Sequence, residues 1–212
     1  YGFSVENGPC ATTTTLHTFE YGTDNTDNRF YYNYWADEVY IDGQPVTDRN
    51  GHALYYYPWE AAMDLSGSPY VETAGARMKK YEVDKSATRD GKLMDNDIVL
   101  FRFADVLLMR AEAHLRNGQP ELGQSDFNAV RTRAYMPKRQ LTLDNIYDER
   151  LLELCWEGWR RQDMIRFGRY ESLFVGDNDY AKVNESDRHT IVFPIPADVL
   201  ALNRNLEQNK GY

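Results

Sequence analysis

The chain has 212 residues, and its 24 Lys plus Arg against 33 Asp plus Glu give a net charge of −9. This acidic balance argues against nucleic acid or an anionic membrane surface as a partner, because both attract basic proteins. Hydrophobic residues, at 42%, suit a globular protein with a buried core, and the sequence contains no run of 18 apolar residues that would predict a membrane-spanning helix.

Residues 1–95 form a loop-rich region with many tyrosines and turn signals. The composition of residues 29–41 is typical of a strand, and residues 53–57 predict a second one. The polar segment 24–28 lacks the glycine and the distal glutamate of a calcium loop, so we interpret it as a turn.

Residues 96–212 form a helical region. A helix is predicted over residues 98–117, capped by Asp95 or Asn96 and ended by Gly118. Its inward apolar residues recur at three- and four-residue steps: Leu100, Ala104, Leu107, Leu108, Ala111 and Leu115. Further apolar residues widen this face and predict a largely buried helix: Phe101, Phe103, Val106 and Met109.

Three more helical segments follow. Pro120 opens a helix over residues 120–133, with inner residues Leu122, Phe127 and Val130. Thr142 caps the next helix, whose inward residues are Leu143, Ile146, Leu151 and Leu154. A helical or turn segment covers residues 160–170, and a short helix follows Pro196.

The first two helices have the residue spacing of a tetratricopeptide-like pair. Small residues at Ala111 and Gly123 let two antiparallel helices approach closely, and Phe127 fills the gap between them. One such pair cannot bury its outer face, because repeat arrays need about three neighbours. Val99, Val106 and Met109 lie off the main stripe, so we expect an apolar patch that another part of the protein or a second copy covers.

No catalytic or metal-binding pattern stands out. The four histidines, His17, His52, His114 and His189, have no metal spacing, so we expect neither a metal nor a cofactor. The sequence has no nucleophile elbow and no phosphate loop. Cys10 and Cys155 are far apart and are expected to be free, with Cys155 in the core.

Five ordered blocks resemble the SusD/RagB family, the nutrient-binding lipoproteins of Bacteroidetes outer membranes. Residues 95–113 contain RFADVLLMRAEA, similar to the family pattern R-[FY]-A-[DE]-x-L-L-x-x-A-E-A. NAVRTRA (128–134) and ERLLELCWEGWRRQDMIRFG (149–168) resemble the next two blocks. FPIP (193–196) and QNKGY (208–212) resemble the last two blocks, and Lys210 stands where the family's terminal Q-N-P-G-Y has its proline.

The resemblance implies a mostly helical fold with irregular and short β segments, in which a tetratricopeptide-like pair packs with a loop-rich, ligand-facing region. It implies that the chain is the C-terminal portion of a longer protein. The missing N-terminal half would carry the lipid-anchor cysteine, so Cys10 is not that anchor. The implied location is the cell surface at the outer membrane, and the implied partners are a glycan and a TonB-dependent SusC-type transporter.

Glu149, Glu153 and Glu157 form a ladder of carboxylates at one-turn intervals, with arginines nearby. The ladder could be a catalytic or anion-binding cluster, but a structural network of charge pairs is favoured. The proposed network contains Glu149, Arg150, Glu153, Glu157, Arg160, Asp163 and Arg166. Arg160 and Asp163 are expected to pair, since they lie three residues apart.

Exposed aromatic rings are the candidate ligand contacts, because they can stack on the apolar faces of sugars. The candidates are Trp35, Tyr55, Tyr56, Tyr57 and Trp59. On a strand Tyr55 and Tyr57 share one side and Tyr56 faces the other, so they cannot all contact one ligand. Packing within the core is the alternative role of these rings.

The sequence therefore predicts a glycan-binding protein that performs no chemistry. Two alternatives stay open: a tetratricopeptide-like scaffold that binds a peptide or protein, and a carbohydrate-active hydrolase.

Overall fold

The computed structural model describes residues 8–48, 50–62, 64–87, 94–170 and 189–212. The predicted fold class is confirmed, since helices dominate these residues and each strand among them has only two residues. The helices are α1 Thr13–Thr18, α2 Phe30–Asn33, α3 Phe103–Arg116, α4 Pro120–Arg133, α5 Leu143–Leu154, α6 Arg160–Arg166 and α7 Ala197–Leu202, with a 3₁₀ turn at His189–Ile191. The longest helices described have 14 residues, and none of those described could cross a bilayer.

Six short strands form three antiparallel pairs within the first 78 residues. They are β1 Tyr34–Trp35, β2 Asp37–Glu38, β3 Tyr40–Ile41, β4 Gln44–Pro45, β5 Tyr55–Tyr56 and β6 Arg77–Met78. The pairs are β1 with β6, β2 with β5, and β3 with β4. The pairing of β2 with β5 places Asp37 opposite Tyr56 and Glu38 opposite Tyr55.

The prediction of one strand over residues 29–41 is wrong at its start, because Phe30–Asn33 is the helix α2. The side chain of Asp27 accepts a hydrogen bond from the Arg29 amide at 3.0 Å, which starts a turn. The Asn33 amide then donates to the Arg29 carbonyl at 3.0 Å and closes one helical turn. Local side-chain bonding of this kind overrides strand propensity.

The helices α3 and α4 form the predicted hairpin. Gly118 ends α3 with φ of +76°, a left-handed conformation that favours glycine. A Cβ on Gly123 would lie 2.7 Å from the Ala111 carbonyl oxygen, so the two helices touch backbone to backbone there. Phe127 is fully buried beside this contact, in a core cluster with Leu108.

The predicted start of α3 is wrong. The helix begins at Phe103 rather than residue 98, because Arg102 is extended, with φ of −145° and ψ of 161°. Neither predicted cap acts as one: the Asn96 side chain donates to the Glu82 carbonyl, and the Asp95 amide donates to Asp84. The other predicted helix ends agree, since Pro120 opens α4 and Thr142 caps α5 by accepting from the Asn145 amide at 3.1 Å.

Two apolar clusters form the core. One joins α1 and α2 to the end of α5, through Leu16, Phe19, Phe30, Tyr34 and Leu152. The other lies inside the hairpin and extends to Leu141 and Ile146. Both cysteines are free, and Cys155 is buried in the first cluster, as predicted.

Several residues predicted to face inward are exposed instead: Leu100, Phe101, Phe103, Leu122 and Leu143. Leu100 and Phe101 precede the shortened helix, so the helical spacing does not apply to them. Phe103 is 74% exposed. Together with Phe101, Val106 and Met109 it forms the α3 apolar face, which leaves one side of the hairpin unburied.

Replacing Gly123 with Ala tests the close approach of α3 and α4. We expect the free energy of unfolding to fall by roughly 1–3 kcal/mol, because the added methyl group meets backbone atoms that cannot move aside. Ser125→Ala, at an exposed position on the same helix, is the control and should change stability little. Urea unfolding measures both; equal stability of Gly123→Ala and wild type would contradict the packing.

The α3 apolar face predicts self-association of this chain when it is expressed alone, since large exposed apolar patches drive aggregation. The double variant Val106→Lys, Met109→Lys should restore a monomer, whereas Gln162→Lys, an exposed position on α6, should not. Size-exclusion chromatography distinguishes the outcomes. A monomeric wild-type chain with a cooperative melt would mean that this face needs no cover.

Candidate functional site

Six residues of the first region form a partly exposed group that we call the aromatic surface: Tyr21, Asp37, Tyr55, Tyr57, Trp59 and Tyr70. Tyr55 lies in β5, and Tyr57 and Trp59 follow it two and four positions along the chain. The backbone of Tyr57 is fixed on both sides, since its amide donates to Thr73 and its carbonyl accepts from Gly75. The rings therefore sit on an ordered segment.

Three tyrosine rings of this surface lie in a row. The ring centroids of Tyr55 and Tyr57 are 4.7 Å apart, and those of Tyr57 and Tyr70 are 4.4 Å apart. Tyr55 and Tyr57 share one side of the segment, as the strand spacing predicts, and are 38% and 37% exposed. A row of half-exposed rings offers an apolar face with hydroxyls at its edge.

Trp59 extends the surface beside α1. It is 42% exposed, and its ring centroid lies 5.2 Å from His17 and 6.3 Å from Tyr21. Tyr21 in turn stacks on Phe30 of α2, with centroids 4.1 Å apart and planes 26° from parallel. This stack anchors the exposed rings to the buried core.

Asp37 joins the two halves of the surface. One carboxylate oxygen accepts a hydrogen bond from the Tyr55 hydroxyl at 2.9 Å, and the other accepts from the Tyr21 hydroxyl. Burial and the bond to Asp37 raise the pKa of Tyr21, and the bond to Asp37 raises the pKa of Tyr55. Both phenols therefore keep their protons at neutral pH and act as donors to the carboxylate.

The other two candidate rings lie in a different environment. The ammonium of Lys79 lies 4.3 Å from the centre of the Trp35 ring, and the guanidinium of Arg77 lies 5.7 Å from the centre of Tyr56. Both rings belong to paired strands and are only partly exposed. The structure thus brings Tyr55 and Tyr57 together, links Trp59 to them through Tyr21 and Asp37, and sets Trp35 and Tyr56 apart.

The carboxylate ladder lies away from these rings and is buried. Glu149 and Glu153 are on α5, but that helix ends at Leu154, and Glu157 follows it in a turn. Glu149 accepts from Arg29 and from Arg131, each at 2.6 Å, and its side chain is fully buried. Arg29 is also held by both carboxylate oxygens of Asp27. The segment 24–28, interpreted from sequence as a turn, therefore supplies Asp27 to an ion pair.

The next two carboxylates are held as tightly. Glu153 accepts from Arg102 and Arg133 at 2.6 Å and from Arg29 at 3.0 Å. Burial alone raises the pKa of the Glu153 carboxyl, but the hydrogen bonds and positive charges of Arg102 and Arg29 outweigh burial and lower it. Glu157 is bonded to Lys80 and, at 2.8 Å, to Arg102.

A second cluster surrounds Arg150, which bonds Asp105 and Asp163 at 2.8 Å each. Asp163 also accepts from Arg166 at 2.7 Å, and this pair replaces the predicted pairing of Arg160 with Asp163. Arg160 instead donates to the Tyr147 carbonyl at 2.9 Å, with its guanidinium 3.7 Å from the centre of the Tyr147 ring. Aromatic stacking and a buried carbonyl therefore hold Arg160.

A cleft of about 480 Å³ lies above Glu153 and Glu157. Its charged lining includes Lys80, Arg102 and Arg133, and its rim includes Tyr32 and Tyr135. Tyr135 is 88% exposed and has φ of +58°. Each of these three cations already bonds Glu153 or Glu157, so their charges are balanced within the protein rather than left for a ligand.

Within the parts of the chain that the structure describes, no group of His, Cys, Asp and Glu side chains is placed to hold a metal ion. Burial raises the pKa of the Cys155 thiol to about 11, so this cysteine is not a reactive thiolate at neutral pH. The aromatic surface instead offers ring faces together with hydroxyl and carboxylate oxygens. This combination suits the binding of a polar, ring-shaped ligand.

Sequence reasoning missed Tyr21, Asp37 and Tyr70 as members of the aromatic surface. Each lies at least 13 positions from the tyrosine segment 55–57, and only the pairing of β2 with β5 brings Asp37 to it. The cations that hold the ladder were also missed: Arg29, Lys80, Arg102, Arg131 and Arg133. Arg131 and Arg133 stand in the block NAVRTRA, which resembles a family pattern but gives no sign that they bond Glu149 and Glu153.

Comparison with known proteins identifies relatives of this chain. The model of the SusD family matches residues 11–212. The starch-binding protein SusD of Bacteroides thetaiotaomicron is 33% identical over 141 residues, which are 64% of this chain and 25% of that protein. SusD-like protein P38 of Formosa agariphila is 32% identical over 152 residues, 64% of this chain and 28% of that protein. The chain thus spans about a quarter of the length of these curated relatives.

Solved structures share the fold. A laminarin-binding SusD-like protein superposes with a TM-score of 0.62 at 23% identity, over 95% of this chain and 38% of that chain. A SusD superfamily protein from Bacteroides vulgatus superposes with a TM-score of 0.65 at 21% identity, over 95% of this chain and 44% of that chain. At these identities the likeness supports the fold alone.

Replacing Glu157 with Gln tests whether the ladder is structural. We expect a lower melting temperature and a loss of roughly 3 kcal/mol, because Lys80 and Arg102 lose a buried counter-charge. Affinity for the ligand should stay within a few fold. Glu121→Gln, an exposed carboxylate on α4, is the control. Lost binding at an unchanged melting temperature would move the ladder into the ligand site.

The ladder also predicts a loss of stability in acid. The folded-state pKa values of Glu153 and Asp27 lie below their ordinary values of 4.5 and 3.8, so both carboxylates stabilise the fold above those values. This stabilisation is lost as the pH falls through the lowered values. Urea unfolding between about pH 6 and about pH 3 should record it. Glu153→Gln should flatten the dependence, and an unchanged slope would contradict the assignment.

Proposed function

Because the chain belongs to the SusD family, we propose that it captures a glycan at the bacterial cell surface and performs no chemistry on it. Binding would pass the glycan to a TonB-dependent SusC-type transporter in the outer membrane, with the protein anchored through an N-terminal lipid. The starch-binding relative supports a glycan as the ligand class. Delivery and anchoring rest on the family resemblance.

The aromatic surface is the observation that carries the proposal. The row of Tyr55, Tyr57 and Tyr70 presents ring faces, and Asp37 with its two phenol partners presents hydroxyl and carboxylate oxygens beside them. Sugar rings expose apolar C–H faces and hydroxyl edges, so such a mixed surface matches them. A few anchored polar groups among apolar contacts are typical of small-ligand sites.

The two carboxylates at the cleft support a role without chemistry. A hydrolase of the usual kind needs two carboxyl groups facing the substrate, one to give or take a proton and one to act as base or nucleophile. Glu153 and Glu157 line the cleft, but each bonds at least two cations and is committed to the fold. This commitment disfavours the hydrolase alternative.

The scaffold alternative is supported by one observation, the exposed α3 apolar face. A peptide or another helix pair could pack on Phe103, Val106 and Met109. We infer that the remainder of a longer protein covers this face, because the chain spans about a quarter of its relatives' length. The exposed face then belongs to the interior of the whole protein.

Replacing Tyr55 and Tyr57 together with Ala should lower glycan affinity about tenfold, since each stacked ring contributes roughly 0.5–1.5 kcal/mol. The ligand is first selected from a panel of neutral and acidic glycans, and affinity is then measured by calorimetry. Tyr135→Ala, an exposed tyrosine outside the aromatic surface, is the control and should bind like wild type. Full binding by the Tyr55, Tyr57 variant would remove the aromatic surface from the site.

A further inference from the structure

We propose that Asp37 makes the aromatic surface selective for uncharged glycans over glycans that carry carboxylate or sulfate groups. This inference rests on the proposed function, and it narrows the ligand class at the same surface. The inference starts from the position of the exposed Asp37 carboxylate, which lies between the row of three tyrosine rings and the pair formed by Tyr21 and Trp59. Both of its oxygens accept hydrogen bonds from tyrosine hydroxyls.

Asp37 lies where a ligand on the rings would meet it. It is exposed, and its oxygens accept from Tyr55 on one side and from Tyr21 on the other. Tyr55 begins the row of three rings, and Tyr21 contacts Trp59. A sugar stacked on either group of rings therefore has its hydroxyl edge close to this carboxylate.

The polarity of these hydrogen bonds sets what the surface can accept. Both phenol protons point at Asp37, so the phenol oxygens present lone pairs to solvent, and the carboxylate adds its own acceptors. Sugar hydroxyls can donate to these oxygens. A ligand carboxylate or sulfate has no proton to give and brings a like charge, which is a common means of rejecting a wrong partner.

The nearest charges do not offset Asp37. Arg77 lies over Tyr56, the ring on the other side of β5, and donates to the carbonyls of Gly8 and Glu72. Glu38, the next residue along β2, is a second exposed carboxylate and accepts from the Tyr40 hydroxyl. Glu38 therefore adds a second negative charge on β2, and Arg77 is engaged on the other side of β5.

The backbone conformation of Asp37 decides which substitution can test the inference. Asp37 has φ of +57°, in the left-handed region that non-glycine residues seldom adopt. Glycine would adopt this conformation at less cost, whereas a carboxylate there is held by two phenol bonds. Asn also tolerates the left-handed region, so Asp37→Asn removes the charge without breaking the turn.

The test compares matched ligands on the full-length protein. Starch, a β-1,3-glucan and a galactan are each offered in neutral form and as the derivative oxidised to carboxylate at C6. Wild type, Asp37→Asn and the control Glu38→Gln are measured by affinity electrophoresis at low and high salt. Wild type should bind the neutral member of its preferred pair at least about tenfold more tightly, with a smaller gap at high salt because salt screens the repulsion.

Asp37→Asn should narrow the gap to less than about threefold by gaining affinity for the carboxylated member, while Glu38→Gln leaves the gap unchanged. Equal or tighter binding of the carboxylated member by wild type would overturn the inference, as would an unchanged gap in Asp37→Asn. If Glu38→Gln narrowed the affinity gap as much as Asp37→Asn, the general negative charge of the surface would explain the selectivity, and the inference would also be overturned. Wild-type binding to none of the six polysaccharides overturns the inference and counts against the proposed function as well, whereas the other failures leave that function intact.

Discussion

Two arginines that are about a hundred residues apart in the chain share the buried carboxylate of Glu149. Arg29 and Arg131 each donate to it at 2.6 Å, and no solvent reaches the group. Removal of one partner of a buried ion pair destabilises a protein by roughly 3–5 kcal/mol, because the remaining charge stays buried without a counter-charge. The folded state therefore holds the turn at 27–29, the end of α4 and the middle of α5 together.

This constraint extends to the aromatic surface through a short series of contacts. Arg29 directly precedes α2, and Phe30, the first residue of α2, stacks on Tyr21. Tyr21 donates to Asp37, which also holds Tyr55. Rings that are already ordered lose little freedom when a ligand stacks on them, and this lowers the entropic cost of binding. The candidate site is thus connected through packed side chains to a buried charge pair that lies outside the aromatic surface.

The sequence predicts the parts of this arrangement that depend on local pattern. Apolar spacing and the signals at Pro120 and Thr142 locate α4 and the start of α5, and Gly118 and Gly123 predict the hairpin. The start of α3 was misplaced because the apolar residues at 98–101 continue the helical spacing into an extended segment. Exposed Phe103 and Leu122 were predicted as buried because spacing reports which residues are apolar, not whether a neighbour covers them.

The site itself was only half predictable. Adjacent tyrosines mark Tyr55 and Tyr57 in the sequence, but Asp37 reaches them only through strand pairing, and Tyr21 only through the packing of Phe30. Glu149, Glu153 and Glu157 are visible as a ladder because they recur every four residues, although α5 ends at Leu154 and Glu157 follows it in a turn. Their cations come from four separate places in the chain, and no spacing rule connects Lys80 or Arg102 to Glu157.

Native-state hydrogen exchange of the Arg29→Met variant tests the central claim most directly, with Arg110→Met, whose partner Asp126 lies in the hairpin, as the control. If the pair of Arg29 and Glu149 holds the loop-rich region to the helices, amide protection should fall at Tyr57 and Gly75 while the α3–α4 hairpin keeps its protection. Arg110→Met should leave Tyr57 and Gly75 unchanged. Unaltered protection of these two amides in Arg29→Met, or a uniform loss that includes the hairpin to the same extent, would contradict the account.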